Sequence, residues 1–343
     1  MRIILADDGI HFDGFTLSQR ALGGAETAFI SLAEALSARG HDVTVINNCT
    51  KLHENNGVKW QPIGRGFPDS VDIYIANRGH RLIGAMPRAK RNVFWVHNPA
   101  GYLLKWRYLL PLWRINPVIV FSGAYHLATC PAWVPSAERV VIPCGIEDRF
   151  LEVCSESAIS RKRAIFTSNP LRSLNWLVDL WAQKIHPLSP DAELHLFAGP
   201  QTYGVTGDQK AQRMKEILDH AATLRNKGII LRGPVPKAQL IEEMKIARVM
   251  PYRGDIGETF CLALAESQAM GIPCVVQDIG CVAERIVDGE TGFVTDDDDL
   301  FARYTANLLN DNSLWLRQHK AALSSGRAWN WDQVAQAFER LAQ

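Results

Sequence analysis

The chain has 343 residues, 47% of them hydrophobic and 21% charged, with a formal net charge of +1 at pH 7. That length is more than one core comfortably serves and points to two domains of about 150 to 180 residues. The charge balance excludes the strong global field of a general nucleic-acid binder, so no nucleic-acid partner is expected.

The cysteines (Cys49, Cys130, Cys144, Cys154, Cys261, Cys274, Cys281) are odd in number and contain no C-x-x-C pair. They read as reduced thiols of a cytoplasmic protein, with neither a disulfide framework nor a zinc site. The N-terminus lacks the apolar stretch and cleavage site of a signal peptide, and no run approaches the roughly 20 apolar residues that cross a bilayer. The expectation is a soluble protein, or one peripheral on the inner face of a membrane.

In chain order, short β-branched runs at 3–5, 43–46, 73–76, 93–96, 118–121 and 140–142 alternate with helical patterns. The clearest helix lies between Gly24 and Gly40, where Ala28, Phe29, Leu32, Ala33 and Leu36 recur at helical spacing and Gly40-His41 stops it. Strand, helix, strand repetition implies a parallel sheet wrapped on both faces. After Arg149 the strand signal is lost in a polar stretch (Glu152, Ser155, Glu156, Ser157, Ser160, Arg161, Lys162), which reads as the interdomain linker. A second series opens at 164–167 and continues at 193–198, 228–231, 247–250 and 273–276. The segment 329–341 is amphipathic, with Trp331, Val334, Ala335, Phe338 and Leu341 on one stripe. It either caps its own domain or crosses back to the first. The division expected is therefore 1–157, 158–325 and a terminal helix in 326–343.

The stretch 254–276 carries the most chemistry. Gly257 leaves room for a ligand, Glu258 stands at a loop end, and helix formers run up to Gly271. On one helix the interval from Glu258 to Glu266 is roughly 12 Å, so the two carboxylates cannot grip one atom but can hold two ends of a long ligand. A nucleotide-sugar has that shape. The amides of Thr259, Phe260 and Cys261 at the helix start would face its diphosphate, where the helix dipole favours an anion. Carboxylates suit sugar diols because they only accept hydrogen bonds. The alternative is that Glu258 caps the helix and Glu266 is solvated.

This stretch resembles the E-x7-E signature of the family 4 glycosyltransferases, and its continuation from Gly280 through Glu284, Gly289 and Gly292 is similar to that family's sequel. The resemblance implies the GT-B fold: two Rossmann-like α/β domains facing a central cleft. It also implies retaining transfer from a UDP- or GDP-sugar. On that resemblance Glu258 contacts the donor sugar hydroxyls near the reacting carbon, and Glu266 holds the ribose. Gly23-Gly24, ahead of the first helix, matches the family's glycine-rich loop near the diphosphate and acceptor; alone, such a pair is more often a turn.

His97 follows an apolar run and so falls at a strand's carboxyl end, where open α/β sheets bind ligands. The resemblance makes it a donor-sugar contact. Ser122-Gly123 resembles the next strand-end loop, and 142–147 the hinge-side turn. Residues 166–176 occupy the place of the family's phosphate loop, with Arg172 aligned to its lysine. Arginine keeps that charge and adds a two-pronged grip. The family's first arginine is absent, and Arg253 is the candidate replacement. Arg232-Gly233-Pro234-Val235 resembles the loop whose backbone holds the base, through Gly233 and Val235.

Between Ile73 and Ala137 there is no Asp or Glu, yet Arg78, Arg81, Arg88, Lys90, Arg91, Lys105, Arg107 and Arg114 lie there. Residues 102–114 mix Trp, Tyr and Leu with these cations, the composition of a segment that contacts an anionic membrane. The alternative is a buried helix with basic edges.

The expected reaction is metal-independent, since no D-x-D pair is followed by a convincing metal site and the run 296–299 reads as a solvated loop. The donor is the only cofactor-like molecule expected. The acceptor is a glycan or a lipid-linked, lipopolysaccharide-type molecule of the cell envelope. Two rivals are a GT-B epimerase or phosphorylase, and a non-catalytic nucleotide-sugar or glycan-binding protein.

Overall fold

The computed structural model describes residues 1–20, 22–152, 161–199 and 208–342. Most of the expected linker, the boundary at 157/158 and Cys154 lie outside the described residues. The chain divides into two compact units. Met1–Leu17, Gly24–Gly145 and Trp329–Gln343 form the first, and Ser18–Gly23 with Ile146–Ala328 form the second.

The first unit holds one sheet of eight strands: β1 Arg2–Asp7, β2 Asp42–Asn47, β3 His53–Asn55, β4 Val58–Pro62, β5 Ile73–Asn77, β6 Arg91–Trp95, β7 Val118–Phe121 and β8 Glu138–Val141. Their order is β3-β4-β2-β1-β5-β6-β7-β8. All pairs are parallel except β3 with β4. Every residue of β5 and β7 is buried, as expected of strands covered on both faces. The β3–β4 hairpin is an addition to the sequence reading. Its turn is Asn56-Gly57, both at positive φ (49° and 74°), the arrangement that a two-residue hairpin of matching twist requires. Helices α1 Gly24–Ala38, α2 Trp106–Ile115 and α3 Ala124–Ala128 follow β1, β6 and β7. In α1 the five predicted apolar positions are buried.

The terminal helix Trp331–Arg340 belongs to this unit and packs on α1. Asn330 and Gln333 form a capping box at its start. Phe338 packs edge-on to Trp95 at 5.3 Å. Glu339 accepts from Arg39 (2.6 and 3.0 Å) and pairs with His41 (2.7 Å). Gly145 permits the return of the chain, because a Cβ there would lie 2.6 Å from the Asn330 carbonyl carbon.

The second unit has two parallel three-stranded sheets. β9 Arg163–Phe166, β10 Glu193–Leu196 and β11 Ile229–Leu231 are ordered β11-β10-β9; β12 Met250–Tyr252, β13 Cys274–Val276 and β14 Gly292–Val294 are ordered β12-β13-β14. A parallel bridge between Ala164 and Val249 joins β9 to the start of β12. The combined sequence 11-10-9-12-13-14 is the doubly wound order, in which winding reverses between β9 and β12. Its helices include α4 Leu174–Leu180, α5 Asp208–Thr223, α6 Lys237–Lys245, α7 Leu262–Ala269, α8 Asp298–Asn310 and α9 Asn312–Gly326.

Candidate functional site

A doubly wound sheet leaves a crevice at the carboxyl ends of the strands where winding reverses. In the second unit those are the loops after β9 and β12, and they carry Ser168, Arg172 and Glu258. The Glu258 carboxylate is 1% exposed. It accepts from the Tyr252 hydroxyl at 2.7 Å and is ion-paired with Arg172. The Ser168 hydroxyl lies 3.0 Å from the same Tyr252 oxygen, and Ser173 Oγ donates to the Gly254 carbonyl at 3.1 Å, tying the two loops together. The turn before Glu258 is built by Asp255, whose side chain accepts from the Gly257 amide (2.7 Å) and whose carbonyl accepts from the Glu258 amide (2.9 Å). Gly257 thus serves this turn: a Cβ there would meet Asp255 Oδ1 at 2.9 Å, so the room expected for a ligand is taken. Gly280 has φ +70°, and a Cβ on it would lie 2.4 Å from the Asp255 carbonyl, which fixes how closely the next loop approaches.

One expectation needs correction. Helix α7 starts at Leu262, and Cys261 stands before it at φ 61°, ψ 72°. A left-handed residue cannot continue a right-handed helix. Thr259, Phe260 and Cys261 therefore precede the helix, and Glu258 is not on it. The helical ruler between the two carboxylates applies only from Leu262 onward. The alternative reading also falls: Glu258 does not cap α7, and Glu266 is 4% exposed.

Glu266 sits on α7 and is ion-paired with Lys237, the first residue of α6. The Lys237 ammonium lies 5.3 Å from the Phe150 ring centroid. Burial raises the Glu266 pKa, Lys237 opposes that rise, and Glu147 and Arg149 act more weakly in opposite directions.

Arg253 keeps company other than that of Glu258. Its Nε donates to Gln277 Oε1 at 2.8 Å and its guanidinium lies 5.0 Å over the Trp176 ring. Gln277 in turn donates to Asp298 at 2.9 Å. The run 296–299 is not a plain solvated loop, because Asp297 caps α8 by accepting from the Asp299 and Leu300 amides. Among the described residues no three His, Cys, Asp or Glu side chains gather as a metal site would, and no described cysteine is in a disulfide. Gly233 follows β11 at φ +71°, with open space where a Cβ would stand, and Val235 beside it is half-buried.

In the first unit the corresponding reversal lies between β1 and β5. Gly24 opens α1, with Gly23 buried directly before it. Asp7 ends β1 and accepts from Asn77 (2.5 Å) and Arg78 (2.9 Å); Arg78 also pairs with Glu26 in the first turn of α1 (3.0 Å). Arg78, half-buried, is thus paired with two buried carboxylates and is not part of an open cationic face. His97 follows β6, its ring 4.5 Å from that of Trp95. Exclusion of water holds its pKa well below the ordinary imidazole value, reinforced by Arg78 and His126. His126 on α3 accepts at Nδ1 from the Ser122 amide (3.1 Å) and hydroxyl (2.9 Å), while Nε2 donates to the Asn98 carbonyl (2.9 Å). It therefore clamps together the loops that carry Ser122 and His97. Burial lowers its pKa to about 4.

Sequence reasoning did not single out Tyr252, Ser168, Lys237, Asp7 or His126. The available signal was position: Tyr252 and Asp7 end the strands beside each reversal. The segment 102–114 also departs from its buried reading. Of α2 only Leu112 is buried, whereas Trp106 is 80%, Trp113 75% and Leu110 62% exposed.

Residues 162–311 match the family model described as glycosyl transferases group 1. A D-inositol 3-phosphate glycosyltransferase of Xylanimonas cellulosilytica is 29% identical over 92% of this chain and 90% of its own. The namesake from Streptomyces avermitilis is 27% identical over 47% of this chain, and that match spans only 38% of the relative's length. Among solved structures, sucrose-phosphate synthase from Thermosynechococcus elongatus superposes with TM-score 0.75 at 15% identity, covering 99% of this chain and 98% of that one. Anabaena HepE in complex with UDP and glucose gives 0.72 at 15% identity, with coverage of 99% and 98%. The family's model thus lies within the second unit, and over its full length the chain has the GT-B architecture of those solved structures.

Proposed function

We propose that the chain transfers a hexose-type sugar from a UDP- or GDP-sugar to a glycan or lipid-linked acceptor of the cell envelope, with retention and without a divalent metal, at the cytoplasmic side of a membrane. The observation that carries this reading is the buried Glu258 carboxylate, held by the guanidinium of Arg172 and the hydroxyl of Tyr252. Such a pair is suited to exchange. A donor diphosphate takes the two-pronged grip of Arg172, and the released carboxylate accepts from the donor sugar's hydroxyls. Glu266, kept in place by Lys237, accepts from the ribose diol. The loop at Gly233 and Val235 holds the base through its backbone, and the loop at Gly23 and Gly24 lies by the diphosphate and acceptor. Arg253 stays a candidate for the second phosphate. The helix-start role given to Thr259, Phe260 and Cys261 reduces to that of a loop before α7.

Chemically, the bond from the anomeric carbon to the diphosphate oxygen breaks while the acceptor oxygen bonds to that carbon on the same face. The acceptor's proton passes to the departing diphosphate, whose charge Arg172 stabilises. His97, uncharged at neutral pH, offers the sugar a hydrogen bond without adding a charge. The HepE structures described as complexes with UDP and with UDP-glucose support a UDP-sugar as the first donor to test.

The experiment is a thermal-shift panel of UDP-, GDP- and ADP-sugars followed by a product assay with the stabilising donor. A matched donor raises the melting temperature and, with acceptor present, yields an α-linked product from an α-linked donor at a rate unchanged by EDTA. Inverted product, or activity lost to EDTA and restored by Mn²⁺, refutes the corresponding part. Donor consumption without acceptor, or dependence on free phosphate, would identify the epimerase or phosphorylase alternative.

A further inference from the structure

Helix α2 has two apolar faces and only one of them is covered. Leu112, with Tyr108 and Ile115 partly buried beside it, packs into the core formed by Phe94, Val96, Leu103 and Ile119. Trp106, Leu110 and Trp113 recur at i, i+4 and i+7 and so share the opposite face, where they are 80%, 62% and 75% exposed. Leaving two tryptophans in water is costly, and single exposed apolar residues are ordinary whereas an aligned row is not. Lys105, Arg107 and Arg114 flank the row and are exposed. No acidic residue occurs from Ile73 to Ala137 to neutralise them.

We infer that this face of α2 is an interfacial anchor that docks the first unit on an anionic lipid bilayer, with the two indoles at headgroup level and the three cations against lipid phosphates. The chemistry is that of a helix lying in the membrane interface: indole rings prefer that depth, and each nearby Lys or Arg is attracted to the negative surface. Area argues against a second copy as the occupant. Two tryptophans and a leucine offer on the order of 500 Å², below the ~800 Å² per partner that stable interfaces bury. A protein partner would moreover have to match the exposed cations Lys105, Arg107 and Arg114 beside the apolar row, which an anionic bilayer does by default.

The inference deepens the proposed lipid-linked acceptor, but its test needs neither donor nor acceptor, so the two stand or fall separately. The purified chain is mixed with phosphatidylcholine vesicles, with and without phosphatidylglycerol, and sedimented while tryptophan emission is recorded. Binding to the anionic vesicles alone, a blue shift on binding and weakening by salt are the expected results. Trp106→Ser/Leu110→Ser/Trp113→Ser abolishes binding, and Lys105→Gln/Arg107→Gln/Arg114→Gln weakens it on the order of 100-fold. Both variants keep the wild-type melting temperature, since the substituted side chains are exposed. No binding of the wild type to anionic vesicles, or equal binding by the serine variant, overturns the inference. So does a self-association seen by analytical ultracentrifugation that the serine variant loses while no vesicle binding is found.

Discussion

Glu258 and Glu266 in the second unit, both buried, and His126 and His97 in the first, one buried and one half-buried, are ionisable groups at strand-end loops or helices, and the two pairs are prepared in opposite ways. Each carboxylate is matched with a cation from a different element: Arg172 from the loop after β9, Lys237 from the start of α6. Burial holds the pKa of each imidazole down, and the charge that acts on His97, Arg78, is already matched by Asp7 and Glu26. The second unit thus carries charge that a ligand can displace, and the first carries charge already settled plus neutral hydrogen-bonding groups.

The sharpest way to break this comparison is Glu258→Gln. Removing a charged hydrogen-bond partner of the donor costs on the order of 100-fold in kcat/KM, read with the product assay on protein whose melting curve shows it folded. Unchanged activity would dissolve the exchange of partners at Arg172. The neutral half is tested by pH. His126 has an unfolded pKa near 6.5 and a folded pKa of about 4, so the unfolded chain binds the extra proton between them. Its stabilisation is complete above 6.5 and is lost as pH falls to 4, on the order of 3 kcal/mol in total. Chemical denaturation across that range should show a steeper acid loss for the wild type than for His126→Gln.

Lys237→Met sharpens the other side. Without the ammonium, buried Glu266 ionises less readily, so donor KM rises on the order of tenfold, most strongly at low pH, with kcat little changed. A raised folded carboxyl pKa contributes stability that is present at acid pH and lost as pH rises. The variant is therefore nearest to wild type in stability below about pH 4.5. Lys237→Arg restores the KM; if it does not, and kcat falls with it, Lys237 is simply structural. The smallest effect belongs to Arg172→Lys, which keeps the charge and loses the fork: about fivefold in donor KM by titration.

Much of this was legible from residues near one another in the chain. The six apolar runs of the first unit became six of its strands, and α1 and the terminal helix bury the stripes that their spacing marked. The motif from Glu258 to Glu266 named both carboxylates. It misplaced the helix between them, because the left-handed turn at Cys261 follows from how the 255–261 loop packs against Gly280, and no helix former in the local sequence announces it.

Periodicity and β-branching act over a few residues, so the sequence alone settled most of the strands, the first and last helices of the first unit and the apolar face of each of those two helices. Partners are a different matter. Arg172 and Glu258 are 86 residues apart, Lys237 and Glu266 29, and Arg39 and Glu339 300. Only the order in which strands lie side by side brings such groups to one place, and the same packing decided that one face of α2 is covered while the face bearing Trp106 and Trp113 is not.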